Sequence, residues 1–549
     1  MKKVIFLFLL AGIVVLAVFF LADDGKGTTE KNDTFSDCVV NLKKQKARFM
    51  KENGITVTLE NKSLRAFDYK VTVDDDMKLL LSEKFMEDIM GCSVNVYKSG
   101  NVKVNRAGVE IEYLKDDIEL CDGEIFIPAN DDIKKLGYSY DFSFKDDSVA
   151  FTNTDNGNYL PDAYDMRNYG RVSQVRDQGK LGTCWAFASL GALETVTLPG
   201  EENIYSVDHM SMNNGYTLDI SEGGEHNMSI AYLASWQGPV LDEDDKYGDG
   251  VTDKNLKAVK HLEEAIVIKE RDDNKVKSAI FKYGGVETSI YLEMPYGSSS
   301  SSFYNASTSS YYYNGKEKPN HDIVIVGWND HYPRKNFSIM PKHDGAFICK
   351  NSWGTGFGER GYFYVSYEDV NICSESIVYT RLVENDNYDN IYQTDLLGWV
   401  GQMGFSDESA YFANVYTAKK DEVLKAVSFY STGDDTSFKV FVVTDYKDSD
   451  SLNSGRQEVG KGETRYSGYY TVDLKQDIEL KKGQKYAVIV SIKTPGSEKP
   501  IAIECDAGAR TRNLDLKDGE GYISKYGEVW HSAEESQANV CLKAFTDDK

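Results

Sequence analysis

Apolar and polar residues follow three rhythms along this 549-residue chain. At the start, Met1-Lys2-Lys3 leads into an unbroken apolar run from Val4 to Ala22, closed by Asp23-Asp24. At about 1.5 Å per residue, a helix over this run approaches the roughly 30 Å hydrocarbon core of a bilayer, beyond the core of about 7–15 residues usual in a signal peptide. The run predicts export, and a retained anchor is preferred to cleavage because Phe20 stands where a cleavage site wants a small residue. Lysines before the run and acids after it direct the body of the chain outward. From about Phe67 to Asn153 a weak repeat follows, in which 84–91 and 93–97 reappear as 132–137 and 139–144. Each copy reads as a short helix ending at glycine, followed by alternating strand positions. Farther on, Trp185-Ala186-Phe187-Ala188-Ser189-Leu190 predicts a buried helix, and His321 heads a strand pattern through Ile323-Val324-Ile325-Val326. Beyond Tyr379 a period of two takes over. Phe438, Val440 and Val442 share one face, as do Tyr486, Val488, Val490 and Ile492, with turns at Gly-Asp-Asp, Asn-Ser-Gly and Lys-Lys-Gly. That is the pattern of a β-sandwich of about 150 residues.

Candidate chemistry concentrates at the predicted buried helix. Gln178 to Phe187 reads Gln-Gly-Lys-Leu-Gly-Thr-Cys-Trp-Ala-Phe. A thiol must be ionised, aimed and given a dipole for the developing oxyanion before it attacks a carbonyl well. Cys184 heads the helix and is the candidate nucleophile, since a helix N-terminus favours a thiolate. Gln178 can place its side-chain amide beside the Cys184 backbone N–H as a second oxyanion donor. His321 is the candidate base. Asn351, in Lys350-Asn351-Ser352-Trp353-Gly354, would orient its ring, and Trp353 would cover that hydrogen bond from water.

These residues resemble the papain family of cysteine peptidases. The resemblance begins at Leu160-Pro161-Asp162-Ala163-Tyr164-Asp165-Met166-Arg167 and runs through Tyr362-Phe363-Tyr364-Val365, about two-fifths of the chain. It implies an α+β protein whose catalytic domain has a helical lobe and a β-barrel lobe. It also implies peptide hydrolysis through an acyl-enzyme, with Cys184 depressed to a pKa of roughly 3 to 4 by pairing with His321. Gly223-Gly224 matches the pair whose backbone runs alongside the substrate, a close approach that only small residues allow. Glu225, His226 and Asp322 are then expected around the pocket for the second residue before the scissile bond, with Trp353 also among the substrate-facing residues. A polar lining there points to polar or basic side chains. Leu181 and Ser221 stand where most members carry a bridged cysteine pair, so packing must hold this loop instead. An inserted stretch, 329–344, changes the rim between His321 and Asn351. The C-terminal arrangement is similar to that of clostridial surface cysteine proteases, whose last module is called lectin-like. Residues 67–157 resemble the stalk-type repeat named after the N-terminal portion of copper amine oxidases, a name that implies no copper site, and their place before the protease domain also fits a propeptide.

The expected domains are thus 1–24 (signal peptide or anchor), 25–66 (tether and helical segment), 67–157 (stalk or propeptide), 158–385 (catalytic) and 386–549 (β-sandwich). A net charge of −25 argues against a nucleic-acid partner, whose phosphates would be repelled. The histidines show no metal-ligand spacing. Gly356-Phe357-Gly358-Glu359-Arg360-Gly361 satisfies a dinucleotide fingerprint in letters, but a strand pattern follows it where a helix is required. No cofactor or metal is expected. With Cys184 free, seven cysteines remain, an odd set, and the within-domain pairings Cys92 with Cys121 and Cys505 with Cys541 stay open. The expected partners are a protein or peptide substrate, a membrane at the N-terminal segment, and a glycan or cell-wall ligand at the C-terminal module. Tyr466, Tyr469, Tyr470 and Trp530 are the aromatics that could stack on sugar, although burial in the sheet is the commoner fate of such residues. The expected function is an exported, surface-associated cysteine endopeptidase. The alternative is an adhesin that uses the protease fold as a scaffold.

Overall fold

The computed structural model describes residues 160–517 and 520–549 continuously. Before them it describes 71–154, interrupted at 98, 107–108, 122–123 and 144–145, and the short stretches 5–10, 13–18, 46–47, 50, 55–59 and 62–64. The chain divides into two compact units, Met1–Asp162 and Ala163–Lys549. Within the first apolar run, Ile5–Leu10 and Ile13–Val18 are an antiparallel strand pair, not the helix its length predicts. No helix among the described residues is long and apolar enough to cross a membrane.

The predicted repeat of the first unit is visible as geometry. Glu83–Asp88 is a helix capped by the Ser82 hydroxyl, which accepts from the Phe85 N–H at 3.1 Å; Gly91 turns left-handed with φ 64°, and strand Ser93–Val96 follows. Asp132–Lys135, Gly137 with φ 81°, and strand Tyr138–Ser143 repeat the sequence of events. Glycine serves at both stops because the left-handed conformation carries no Cβ penalty there. Buried Arg106 joins the two copies. Its Nε donates to the Met90 carbonyl at 2.8 Å and its Nη1 to the Leu136 carbonyl at 2.6 Å, so one cation sits at the C-terminal end of both helices. Phe85, Met86, Met90, Ile133, Leu136, Tyr138 and Phe151 form the core around it.

In the second unit, Cys184–Glu194 is a helix in which every residue after Cys184 is buried. Its apolar sequence has no polar face, consistent with a position enclosed on all sides. It packs on strands Val286–Ile290 and His321–Asn329 and on helices Val207–Met212 and His226–Ala234. His321–Asn329 is flanked by Val286–Ile290 and Ala346–Lys350, and Tyr362–Ser366 continues that sheet. On its other side Val286–Ile290 meets Ser376–Glu384, and that strand pairs with Lys260–Ile268.

The sheet does not stop at the end of this region. Lys260–Ile268 pairs antiparallel with Ser467–Leu480, in the register Glu264 to Tyr470 through Val267 to Ser467. Glu422–Ser431 and Leu542–Asp548 then extend it. A six-stranded sheet that includes Thr436–Val443, Lys485–Lys493 and Ser409–Thr417 packs against these strands. Phe429, Val427 and Leu542 meet Phe438, Val440, Tyr486, Val488 and Val490 in one core, as the alternation predicts for a sandwich. Lys485–Lys493 is buried on both faces, since Ala487 and Ile489 enter a second core with Val443, Tyr446 and Leu452.

Candidate functional site

Cys184 is the first residue of its helix, and the preceding Thr183 makes no side-chain cap. The Tyr247 hydroxyl donates to the Gln178 carbonyl at 2.8 Å, so its oxygen accepts from Thr183 Oγ1 at 2.7 Å. With the Thr183 hydroxyl occupied in this way, the amides of the first helical turn keep their positive field for another acceptor. Gln178 is fixed at three points. Its N–H donates to the Ser352 carbonyl at 2.8 Å, its Oε1 accepts from Ser352 Oγ at 2.6 Å, and its Nε2 donates to the Leu181 carbonyl at 2.8 Å. A primary amide carries two hydrogens, so one Nε2 hydrogen remains for an oxyanion.

His321 begins its strand and is buried. Its Nε2 lies 2.8 Å from Asn351 Oδ1, and the same oxygen accepts from the Ser352 N–H at 2.8 Å. Because that amide can only donate, it identifies the Asn351 atom as oxygen, and Nε2 must then carry the proton. Neutral His321 is left with its lone pair on Nδ1. Trp353 packs on the ring at 5.1 Å between centroids and is itself flanked by Tyr296 and Phe357. The sequence pattern assigned Trp353 this covering position.

The ionisation state departs from the resemblance. Burial, and next the neighbouring Asp322 carboxylate, push the Cys184 thiol up to about 12. Burial takes His321 down to about 4, against its bond to Asn351. Both shifts run opposite to those a thiolate–imidazolium pair would show, and burial leads in each. The cause is local. Cys184 Sγ donates to Asp322 Oδ2 at 3.9 Å, while Asp322 Oδ1 accepts from Ser289 Oγ at 2.5 Å. Burial raises Asp322 to about 6, and the deeply buried Glu287 behind it is raised as well, first by burial and then by Asp322. Among the described residues no cation pairs with either carboxylate; their partners are hydroxyls and the thiol.

The glycines and acids of the facing loop are also brought here. A Cβ on Gly182 would lie 2.6 Å from the Gly223 nitrogen, and one on Gly224 would lie 2.5 Å from Trp185 Cε2. Backbone contact between the cysteine loop and the Gly-Gly loop thus needs glycine on both sides. Glu225 precedes helix His226–Ala234 in an extended conformation. His226 Nε2 lies 3.9 Å from Glu375 Oε1, and its pKa is lowered, first by burial. Pattern reading missed Ser352, which ties Gln178 to Asn351, along with Tyr247 and Glu375. It also missed that Asp322 faces the nucleophile. One signal was present for the last: Asp322 and Val324 are two apart on a strand, and a Cβ on Gly191 of the cysteine helix would lie 3.3 Å from Val324.

Elsewhere the picture changes in detail. The inserted 329–344 stretch packs through Tyr332 and Phe337 against Tyr312 and Ala346. Tyr469 is fully buried and offers no face to sugar, and Tyr470 is half-buried in the strand pairing between the two regions; Trp530 Nε1 donates to Asn453 Oδ1 at 3.0 Å. Cys92, Cys184, Cys349, Cys373, Cys505 and Cys541 are free thiols, which removes both the Cys92–Cys121 and the Cys505–Cys541 pairings. Among the described residues no group of three or more His, Cys, Asp or Glu side chains could hold a metal.

A helix-borne thiol, an imidazole whose tautomer is dictated by an asparagine, and an anchored glutamine amide are the side-chain types of a cysteine peptidase. Residues 160–380 match the family described as Papain family cysteine protease, and 391–546 match the Lectin like domain. The chain carries a papain-family cysteine protease domain followed by a lectin-like domain. Over the first of these it is similar to cysteine proteinase 15A of Pisum sativum, 28% identical across 42% of this chain and 64% of that protein. Cathepsin K of Gallus gallus is 30% identical across 39% of this chain and 61% of its own length. The chain thus spans less than two-thirds of the length of these two relatives. The fold is shared with a solved clostridial cysteine protease, Cwp84 after propeptide cleavage, at TM-score 0.63 and 24% identity, covering 70% of this chain and 99% of that one. A second structure holds the cysteine protease and lectin-like domains of Cwp84, a surface layer associated protein of Clostridium difficile; it gives TM-score 0.61 at 24% identity, covering 71% of this chain and 89% of that one.

Proposed function

We propose that the protein is an exported, surface-associated cysteine endopeptidase that cuts peptide bonds through an acyl-enzyme. Substrate entry moves the Cys184 proton to His321 Nδ1, the nitrogen left unprotonated by the Asn351 bond. The thiolate attacks the scissile carbonyl, and the new oxyanion takes hydrogen bonds from the Cys184 N–H and the spare Gln178 Nε2 hydrogen. Imidazolium His321 then gives its proton to the leaving amine as the C–N bond breaks, which leaves a thioester. Water gives a proton back to His321 and attacks the thioester, releasing the carboxylic acid and the thiol.

One observation carries this reading: Asn351 Oδ1 accepts from both His321 Nε2 and the Ser352 N–H, so the base is already in the useful tautomer. Export rests on the lysine-led apolar run, and a surface address is supported by the shared fold with a surface layer associated protein. The lectin-like domain is assigned a glycan or wall ligand, and residues 67–157 a propeptide or stalk role, from their place in the chain. The test is hydrolysis of fluorogenic peptides together with epoxide labelling read by mass spectrometry. Labelling of Cys184 that abolishes turnover is expected. Turnover that survives Cys184→Ala would overturn the proposal.

A further inference from the structure

The loop that lines one side of the cleft is held from outside the protease domain. The Thr217 N–H donates to the Arg510 carbonyl at 2.9 Å, and its hydroxyl donates to the Ala509 carbonyl at 2.5 Å. Asn513 Nδ2 donates to the Gly215 carbonyl at 3.1 Å, and the Tyr216 hydroxyl to the Leu397 carbonyl at 2.6 Å. At the far end of the loop, Arg510 Nη2 donates to Glu225 Oε1 as an ion pair. Glu225 directly follows Gly223-Gly224 and precedes helix His226–Ala234. Inside the protease domain, the Gly182 N–H reaches the Ile220 carbonyl at 3.1 Å. No cysteine lies between Cys184 and Cys349, so no disulfide within the loop can tie it down.

We propose that Arg510 is a positioning residue for substrate binding, and that the turn it sits on makes the lectin-like domain a working part of the peptidase cleft. The turn acts at both ends of 217–225 and sets where the Gly223-Gly224 backbone meets a substrate strand. The Arg510–Glu225 pair is partly exposed, with side chains 38% and 42% accessible, so it is worth little alone and acts together with the neutral hydrogen bonds to Gly215, Tyr216 and Thr217. The inference rests on reading this cleft as the peptide site. It separates the domain's two conceivable duties, since a module that only binds a surface has no need to touch Glu225.

The test uses the full chain, with Arg510→Ala, Arg510→Lys and the charge-reversed pair Glu225→Arg with Arg510→Glu. Arg510→Ala is expected to raise KM by about three- to tenfold at nearly constant kcat, because it displaces a binding strand and leaves the nucleophile alone. Iodoacetamide should alkylate Cys184 at the wild-type rate in Arg510→Ala and Arg510→Lys, which leave Glu225 and Asp322 in place. Arg510→Lys and the reversed pair should each recover part of the KM loss, which a merely misfolded domain would not. Amide hydrogen exchange over 217–226 should quicken by a similar factor in Arg510→Ala. Unchanged KM and unchanged exchange would overturn the proposal, as would a reversed pair no better than the single change. Should the wild-type chain hydrolyse no peptide, the peptidase reading fails by itself, and the exchange measurement alone still decides whether Arg510 holds the loop.

Discussion

The two walls of the cleft are stabilised by different means. One wall is a chain of short hydrogen bonds within the protease domain, from Gln178 through Ser352 and Asn351 to His321, with Trp353 packed on the imidazole ring. The other wall, 215–226, is tied to the next domain through Tyr216, Gly215 and Glu225. Atoms that stabilise charge must stay within a few tenths of an ångström of their working place, and a local chain of bonds with no long lever arm provides that. A strand that pairs with substrate can tolerate more movement, so it can be held at a distance. The catalytic wall should therefore report in kcat and the binding wall in KM.

The largest expected effect is at the nucleophile itself. Cys184→Ala should lower peptide hydrolysis by about 10⁴-fold or more with an unchanged circular dichroism spectrum, and comparable residual turnover would dissolve the comparison altogether. Gln178→Ala should follow, with kcat down about 10²–10³-fold and KM little moved, the usual loss for one oxyanion donor. Gly182→Ala places a methyl between the walls, 2.6 Å from the Gly223 nitrogen, and should raise KM about tenfold or more as the loops part. A fall in kcat with constant KM in that variant would mean that the walls are not separable.

The smallest effect concerns pH. Asp322 ionises at about 6, and above that its charge opposes the Cys184 thiolate. Asp322→Asn removes this charge, so the thiolate should form at lower pH. Iodoacetamide alkylation at pH 7 should quicken by about tenfold, equivalent to about one pKa unit. Below pH 6 the two proteins should converge, because wild-type Asp322 is then protonated. Identical profiles would show that the carboxylate does not restrain the thiol.

Much of this was legible before any coordinates, for a physical reason. The helix after Cys184 and the strand headed by His321 are continuous apolar runs and the sandwich strands alternate, and each of these patterns reports its own burial. The glycine stops of the N-terminal repeat are similar, since a left-handed residue is a local demand of the backbone. Gln178, Cys184, His321 and Asn351 were singled out because the motifs that carry them resemble those of the papain family and supply the side-chain types that acyl transfer needs. The first apolar run shows the limit of this approach, since its length predicts a helix and the described residues pair as strands.

What the chain alone determined is thus the set of reactive groups and the elements that carry them. Their protonation was decided by the fold. A pKa depends on which atoms surround a group, and Asp322, 138 residues from Cys184, reaches the sulfur only when strand and helix pack. The same holds for Arg510 and Glu225, 285 residues apart, whose meeting depends on a sheet that runs unbroken from one domain into the next.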